Sequence, residues 1–183
     1  NVAMFHLFTH AFFKALLFLG AGSVIHSFQN EQDIKNMGGV WRKLPFTYLM
    51  MIIGTLALTG FPFLSGFYSK DAIIEFAYLE KGSLSNYAAA IGVITAIFTS
   101  IYSWRLIFLT FHGSFNNNKL DIKDLHESPL VMLIPLVLLS IGALFSGIFF
   151  KEIFIGAESS QLFWKDSILS LIHISEPTRH CLI

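Results

Sequence analysis

Three polar side chains interrupt an apolar run near the start of the chain: His6, His10 and Lys14. On a helix of 3.6 residues per turn, a spacing of four advances the side-chain direction by only about 40°. The three therefore form one stripe that climbs roughly 12 Å at 1.5 Å per residue. Thr9, three residues after His6, can join the same face, while Phe8, Ala11, Phe12, Phe13, Leu16, Leu17 and Phe18 around them are apolar. Three kinds of chemistry suit such a stripe. Histidines four apart can hold a metal, but no Cys, Asp or Glu stands nearby in sequence and Lys14 would repel a cation. Buried imidazoles can also serve only to bond neighbouring helices. The third possibility is a proton relay, because histidine exchanges protons near neutral pH and burial tunes the proton affinity of a lysine. Ionisable groups inside an apolar helix are functional candidates by default, and the relay fits the stripe best.

A second cluster lies at Lys70, Asp71 and Glu75. Lys70 follows a Pro/Gly interruption where unwound backbone can hold water or charge, so it is a second relay candidate; otherwise it is a loop lysine snorkelling to the interface. Asp71 and Glu75 are four apart and share a helix face. They form either a membrane exit for protons, with Asp71 nearest Lys70, or the solvated start of the next loop. Arg105 reads as an end anchor or ion-pair partner, His112 as an interfacial residue, and Asn116, Asn117 and Asn118 as loop solvation.

These residues must be held by long apolar elements. A bilayer core of about 30 Å needs around 20 apolar residues per helix. Val2 to Ile25, Tyr87 to Phe111 and Pro129 to Phe150 meet that length. Between them, Pro45 to Gly60 is apolar but short. The link Phe61-Pro62-Phe63-Leu64-Ser65-Gly66 follows, and then Phe67 to Leu79. Proline removes a donor and clashes with the preceding turn, so two short helices joined by an unwound link are predicted to make one crossing. Such a break survives at membrane depth only when packed in protein or facing a hydrated cavity, and broken helices commonly mark ion or substrate sites. Lys35, Arg42, Lys43, Lys119 and Lys123 fall in the first and third loops, against Lys81 and Lys151 on the opposite side. The positive-inside rule then turns the first and third loops to the cytoplasm or matrix.

Composition agrees with this architecture. Of 183 residues, 54% are hydrophobic and 13% charged, with 12 basic and 12 acidic side chains and 20 phenylalanines. Soluble domains carry about 25% charge, so a soluble globule, a disordered chain and a nucleic-acid binder are all disfavoured. The one cysteine, Cys181, excludes a disulfide framework and a cysteine-based zinc site. The chain opens inside an apolar run with no basic leader, which reads as an internal fragment rather than a signal peptide. The stretch Leu169-Ser170-Leu171-Ile172-His173-Ile174-Ser175-Glu176-Pro177-Thr178-Arg179 resembles the translation of a sequencing-library adapter. Residues 1–168 are therefore expected to be a membrane domain and 169–183 a non-native tail.

The runs FHLFTHAFFKALLFLGAGSVIH and MGGVWRKLPFTYLMMIIGTLALTGFPFLSGFYSKDAI together resemble the large antiporter-like subunit of respiratory complex I, the NADH-quinone oxidoreductase. The resemblance extends over essentially residues 1–168. It implies an all-α, multi-span integral membrane bundle with four crossings, the second discontinuous. It also implies that His6, His10 and Lys14 lie on a central hydrophilic axis, with Lys70 and then Asp71 toward the outlet. The function it implies is proton translocation driven by NADH oxidation and quinone reduction elsewhere in the complex. The chain itself shows no cluster-ligating cysteines, Gly-rich nucleotide loop or flavin motif. No cofactor is expected in it, and flavin, iron–sulfur clusters and quinone are implied in partner subunits. The implied partners are other membrane-arm subunits, the lipid bilayer, protons and internal water, with no nucleic acid. A bacterial inner membrane is the expected location, and the mitochondrial inner membrane the alternative. The competing functions are a subunit of a multisubunit sodium/proton antiporter and a purely structural membrane subunit.

Overall fold

The computed structural model describes residues 1–79, 82–117, 120–156 and 163–164. The suspected tail 169–183, Lys81, Asn118 and Lys119 lie outside the described residues. The elements among the described residues are α1 (Val2–Ser27), α2 (Pro45–Thr59), α3 (Ser65–Leu79), α4 (Ser83–Phe111) and α5 (Leu130–Ile155), with a short 3₁₀ turn at Ile34–Asn36. Among the described residues no strand occurs. Helices α1, α4 and α5 are each long and apolar enough to cross a membrane, and α2 is a shorter apolar helix. At 1.5 Å per residue the 15-residue α2 and α3 are each about 22 Å long. Neither reaches across a core of about 30 Å alone.

The two short helices form a single crossing, as their order of contact along α1 shows. Moving from the end of α1 toward its start, Ser23 meets Thr47, Gly20 meets Met51, and Leu17 meets Gly54. Phe13 then meets Gly66, and Thr9 and His6 meet Ser69. The partner numbers rise steadily while those on α1 fall, so α2 and α3 together run antiparallel to α1 from one face of the bundle to the other. Helix α5 also runs antiparallel to α1, with Ser128 at Ser23, Gly142 at Phe12, Phe150 at Phe8 and Phe154 at Phe5. Helix α4 returns past the broken pair, with Gly92 against Ile74 and Phe111 against Tyr48. It lies at the periphery, and Ile94, Ile97, Phe98 and Ile101 on it are exposed.

Apolar side chains gain little by leaving lipid for a helix interface, so close packing and small residues must hold these helices together. Glycines stand at the tight crossings. A methyl group on Gly66 would run into the Ala57 carbonyl, one on Gly147 into the backbone of Ser65, and one on Gly142 into the Phe12 ring. Phe13, Leu16, Met50, Ala57, Leu136 and Ala143 fill the centre.

The break itself has a defined chemistry. Gly60 takes a left-handed conformation (φ 83°). Its N–H donates to the Ala57 carbonyl and the Phe61 N–H to the Leu56 carbonyl, the two-bond helix stop that glycine favours. Pro62 then blocks continuation. The link is shorter than expected: helix resumes at Ser65, not Phe67, because the Leu64 and Phe67 amides already bond to the Phe61 and Leu64 carbonyls. Two other boundaries also move outward. Helix α4 starts at Ser83 rather than Tyr87, and α5 runs to Ile155 rather than Phe150. Lys151 and Glu152 are good helix formers whose heads can reach the interface, so polarity alone does not end α5.

At the end of the bundle opposite Asn1, the loops over 28–44 and 112–129 pack on each other. The Gly39 and Trp41 amides donate to the His112 and Phe111 carbonyls, and Asn116 Nδ2 donates to the Lys35 carbonyl. Asn116 is thus a tie between loops rather than simple loop solvation. His112 is not merely interfacial: its Nε2 lies 3.0 Å from Tyr48 Oη, and its ring stacks near Trp41.

Candidate functional site

The stripe on α1 faces the broken helix at the level of the second turn of α3. His6 Nδ1 lies 3.0 Å from Ser69 Oγ. Thr9 Oγ1 donates to Ser69 Oγ at 2.7 Å and is also within reach of the Phe5 and His6 carbonyls. Ser69 Oγ in turn reaches the Ser65 carbonyl at 3.2 Å. Thr9, Ser65 and Ser69 are all fully buried. The histidines are half-buried, and their ring centroids are 5.7 Å apart. Phe13 closes the space beside both rings, at 6.4 Å from His6 and 5.1 Å from His10.

Lys70, the residue after Ser69, is half-buried. Its aliphatic stem folds back toward the break, with Cδ 4.0 Å from where a Cβ on Gly60 would stand. Lys70 is therefore one and a half turns into α3, and its side chain, not its backbone, covers the unwound link. His6, His10 and Lys14 thus follow one another by single turns along α1, and Lys70 stands next to Ser69, which His6 contacts.

Lys14 lies one helical turn beyond His10, with Nζ 5.4 Å from the Phe18 ring centre. It borders a cavity of about 210 Å³ that Thr55, Tyr102 and Ser103 also line. Asp71 is exposed and shares an open cleft of about 1140 Å³ between α3 and α4 with Glu75, Tyr78 and Asn86. Asp71 and Glu75 follow Lys70 along α3. Among the described residues no group of three or more His, Cys, Asp or Glu is placed to hold a metal. Arg105 is exposed on α4.

The sequence reasoning missed the hydroxyls. Ser65 and Ser69 are four apart in an apolar helix and share a face by the same spacing rule that exposed the histidines. A second hydroxyl cluster was also missed: Ser23 Oγ lies 2.9 Å from Thr47 Oγ1 and donates to Ser128 Oγ at 2.7 Å, and Ser27 donates to the His126 carbonyl. Glu127 caps α2 beside it, taking the Phe46 and Thr47 amides at 3.3 and 2.9 Å. Between Ser23 and Lys14 stand Gly20, Leu17 and Leu16, so this cluster locks the loop end and does not continue the polar row.

Comparison with known proteins agrees with this architecture. The family described as NADH:quinone oxidoreductase/Mrp antiporter, TM, matches residues 1–99. The chain is 50% identical over 171 residues to NADH-ubiquinone oxidoreductase chain 5 of Marchantia polymorpha, a match covering 93% of the chain and 25% of that protein. It is 51% identical over 171 residues to the chain 5 protein of Arabidopsis thaliana, with the same coverage. It is 49% identical over 174 residues to NADH-quinone oxidoreductase subunit L of Rhodobacter capsulatus, covering 89% of the chain and 24% of that protein. The chain thus spans about a quarter of the length of these relatives. They come from plants and a bacterium alike and do not favour a bacterial over a mitochondrial membrane. The chain belongs to the NADH:quinone oxidoreductase/Mrp antiporter transmembrane family.

Proposed function

We propose that this chain carries part of a buried proton path in the membrane arm of a proton-pumping NADH-quinone oxidoreductase. The observation that supports this most strongly is the placement of His6, His10 and Lys14 at successive turns of α1, with His6 bonded to Ser69, the residue before Lys70, where a crossing helix is broken. Residues that only bonded helices together would be satisfied in pairs. Here the protonatable groups are spaced along one face with hydroxyls and a cavity beside them.

In this mechanism the redox chemistry proceeds in partner subunits that hold flavin, iron–sulfur clusters and quinone. A conformational or electrostatic signal from them changes the proton affinities of Lys14, the histidines and Lys70 in turn. Lys70 passes its proton toward Asp71 and the cleft between α3 and α4. Moving one charge against 100 mV requires about 2.3 kcal/mol, and a shift of one pKa unit supplies about 1.36 kcal/mol. Changes of roughly two units at a buried group therefore suffice. Membership of a sodium/proton antiporter is the alternative within the same family, but the relatives above carry NADH oxidoreductase names.

The test is Lys70→Ala in the full-length subunit, assembled in its complex and reconstituted in vesicles. The proton-to-electron ratio should fall while the complex still assembles. An unchanged ratio would remove Lys70 from the path.

A further inference from the structure

Ser69 stands where the histidine row meets the broken helix, and its hydrogens can be counted. A hydroxyl has one hydrogen to give and two lone pairs to receive. Thr9 can give its hydrogen to Ser69 Oγ or to the carbonyls of Phe5 or His6. Ser69 can give its own to the Ser65 carbonyl at 3.2 Å or to His6 Nδ1 at 3.0 Å. When Nδ1 is bare, Ser69 donates to it, accepts from Thr9, and leaves the Ser65 carbonyl. When Nδ1 carries hydrogen, Nδ1–H donates to Ser69, and Ser69 donates to the Ser65 carbonyl. Each arrangement satisfies both hydroxyls, and each keeps Nδ1 engaged.

The hydroxyl pair is not itself a proton wire. Both hydroxyls are fully buried, and their remaining partners are backbone carbonyls, which hold no proton to pass on. We propose that Ser69 is a positioning residue for His6: it holds Nδ1 in a hydrogen bond whichever way that bond is polarised, and leaves Nε2 as the nitrogen that exchanges protons. Fixing one ring nitrogen by a hydrogen bond is how proteins commonly choose the reactive one.

This inference rests on His6 being a proton carrier, and its test separates the two. The full-length subunit, isotope-labelled at histidine and assembled in its complex, is studied by infrared difference spectroscopy, with His6→Gln identifying the ring bands of His6. Ser69→Ala is compared with Ser65→Ala, which removes a hydroxyl at the same depth without touching His6. The expected result is a His6 band shifted from its Nδ1-bonded position in Ser69→Ala and unshifted in Ser65→Ala. A His6 band unmoved by Ser69→Ala would overturn the positioning role. The proton-to-electron ratio of Ser69→Ala is then read on the same sample and should fall. A shifted band with an unchanged ratio would uphold the positioning of Nδ1 and remove His6 from the proton path.

Discussion

Gly66→Ala is the smallest change that should separate α3 from its place beside α1. Gly66 lies in the first turn of α3, fully packed, where a Cβ would overlap the Ala57 carbonyl and approach the Phe13 ring. Backbone stands on both sides of the contact, so no flexible side chain can yield. The new methyl must push α3 away from the end of α2. Overpacking of a tight site costs about 1–3 kcal/mol, and with backbone opposing backbone the upper end applies, roughly a 100-fold loss in the folding equilibrium at about 1.4 kcal/mol per decade. Gly22→Ala provides a contrast, because among the described residues nothing comes within 4 Å of a Cβ there. That change should be neutral or stabilising by up to about 1 kcal/mol, since alanine is the better helix former. The assay is reversible unfolding of the full-length subunit in bilayer mimetics. Because Ser69 follows Gly66 by less than one turn, the same displacement should stretch the Ser69 contacts to His6 and Thr9. A Gly66→Ala protein within about 0.5 kcal/mol of the parent would refute the close approach from which the site geometry follows.

Three other substitutions test neighbouring parts of the structure. Glu127→Ala removes both side-chain bonds to the α2 amides and should cost about 0.5–2 kcal/mol; Glu127→Gln keeps an acceptor and should cost less, both read as shifts in unfolding midpoint. A double-mutant cycle with Thr9→Val and Ser69→Ala should return a coupling of about 0.6–2 kcal/mol for the buried hydroxyl pair, and additive effects would mean the pair is not bonded. Tyr48→Phe deletes the contact to His112 Nε2 and should lower stability by about 0.5–1.5 kcal/mol, with faster proteolysis of the two packed loops as a second measure.

Much of this was legible in the residues themselves. Four-residue spacing put His6, His10 and Lys14 on one face because helix geometry leaves no alternative, and Gly60 with Pro62 announced the break because one supplies a left-handed stop and the other forbids continuation. Ser65 and Ser69 went unread because serine is common at helix crossings and gives no signal until its partner is known. Thr9 was assigned to the correct face, but its bond to Ser69 spans 60 residues of sequence and depends on how closely Gly66 lets α3 approach. Loop residues were the least legible. His112, Asn116 and Glu127 look like solvated polar groups until the loops over 28–44 and 112–129 fold onto each other, and then each fills a backbone or ring partner from a distant segment. The start of α4 reads as loop because Ser83, Ser85 and Asn86 favour turns, and Lys151 and Glu152 read as the end of α5 although their long stems let a helix continue into the interface.

The central claim is that the row from Lys70 to Lys14 moves protons rather than merely joining helices. The most direct measurement is the proton-to-electron ratio of the reconstituted complex carrying Lys14→Met, which keeps the length and packing of the side chain and removes its proton. Lys14 borders a cavity and makes its nearest aromatic contact at 5.4 Å from the Phe18 ring centre, so the loss of packing is small. The account predicts a normally assembled complex that pumps fewer protons per electron. A Lys14→Met complex with the parent's ratio would contradict it.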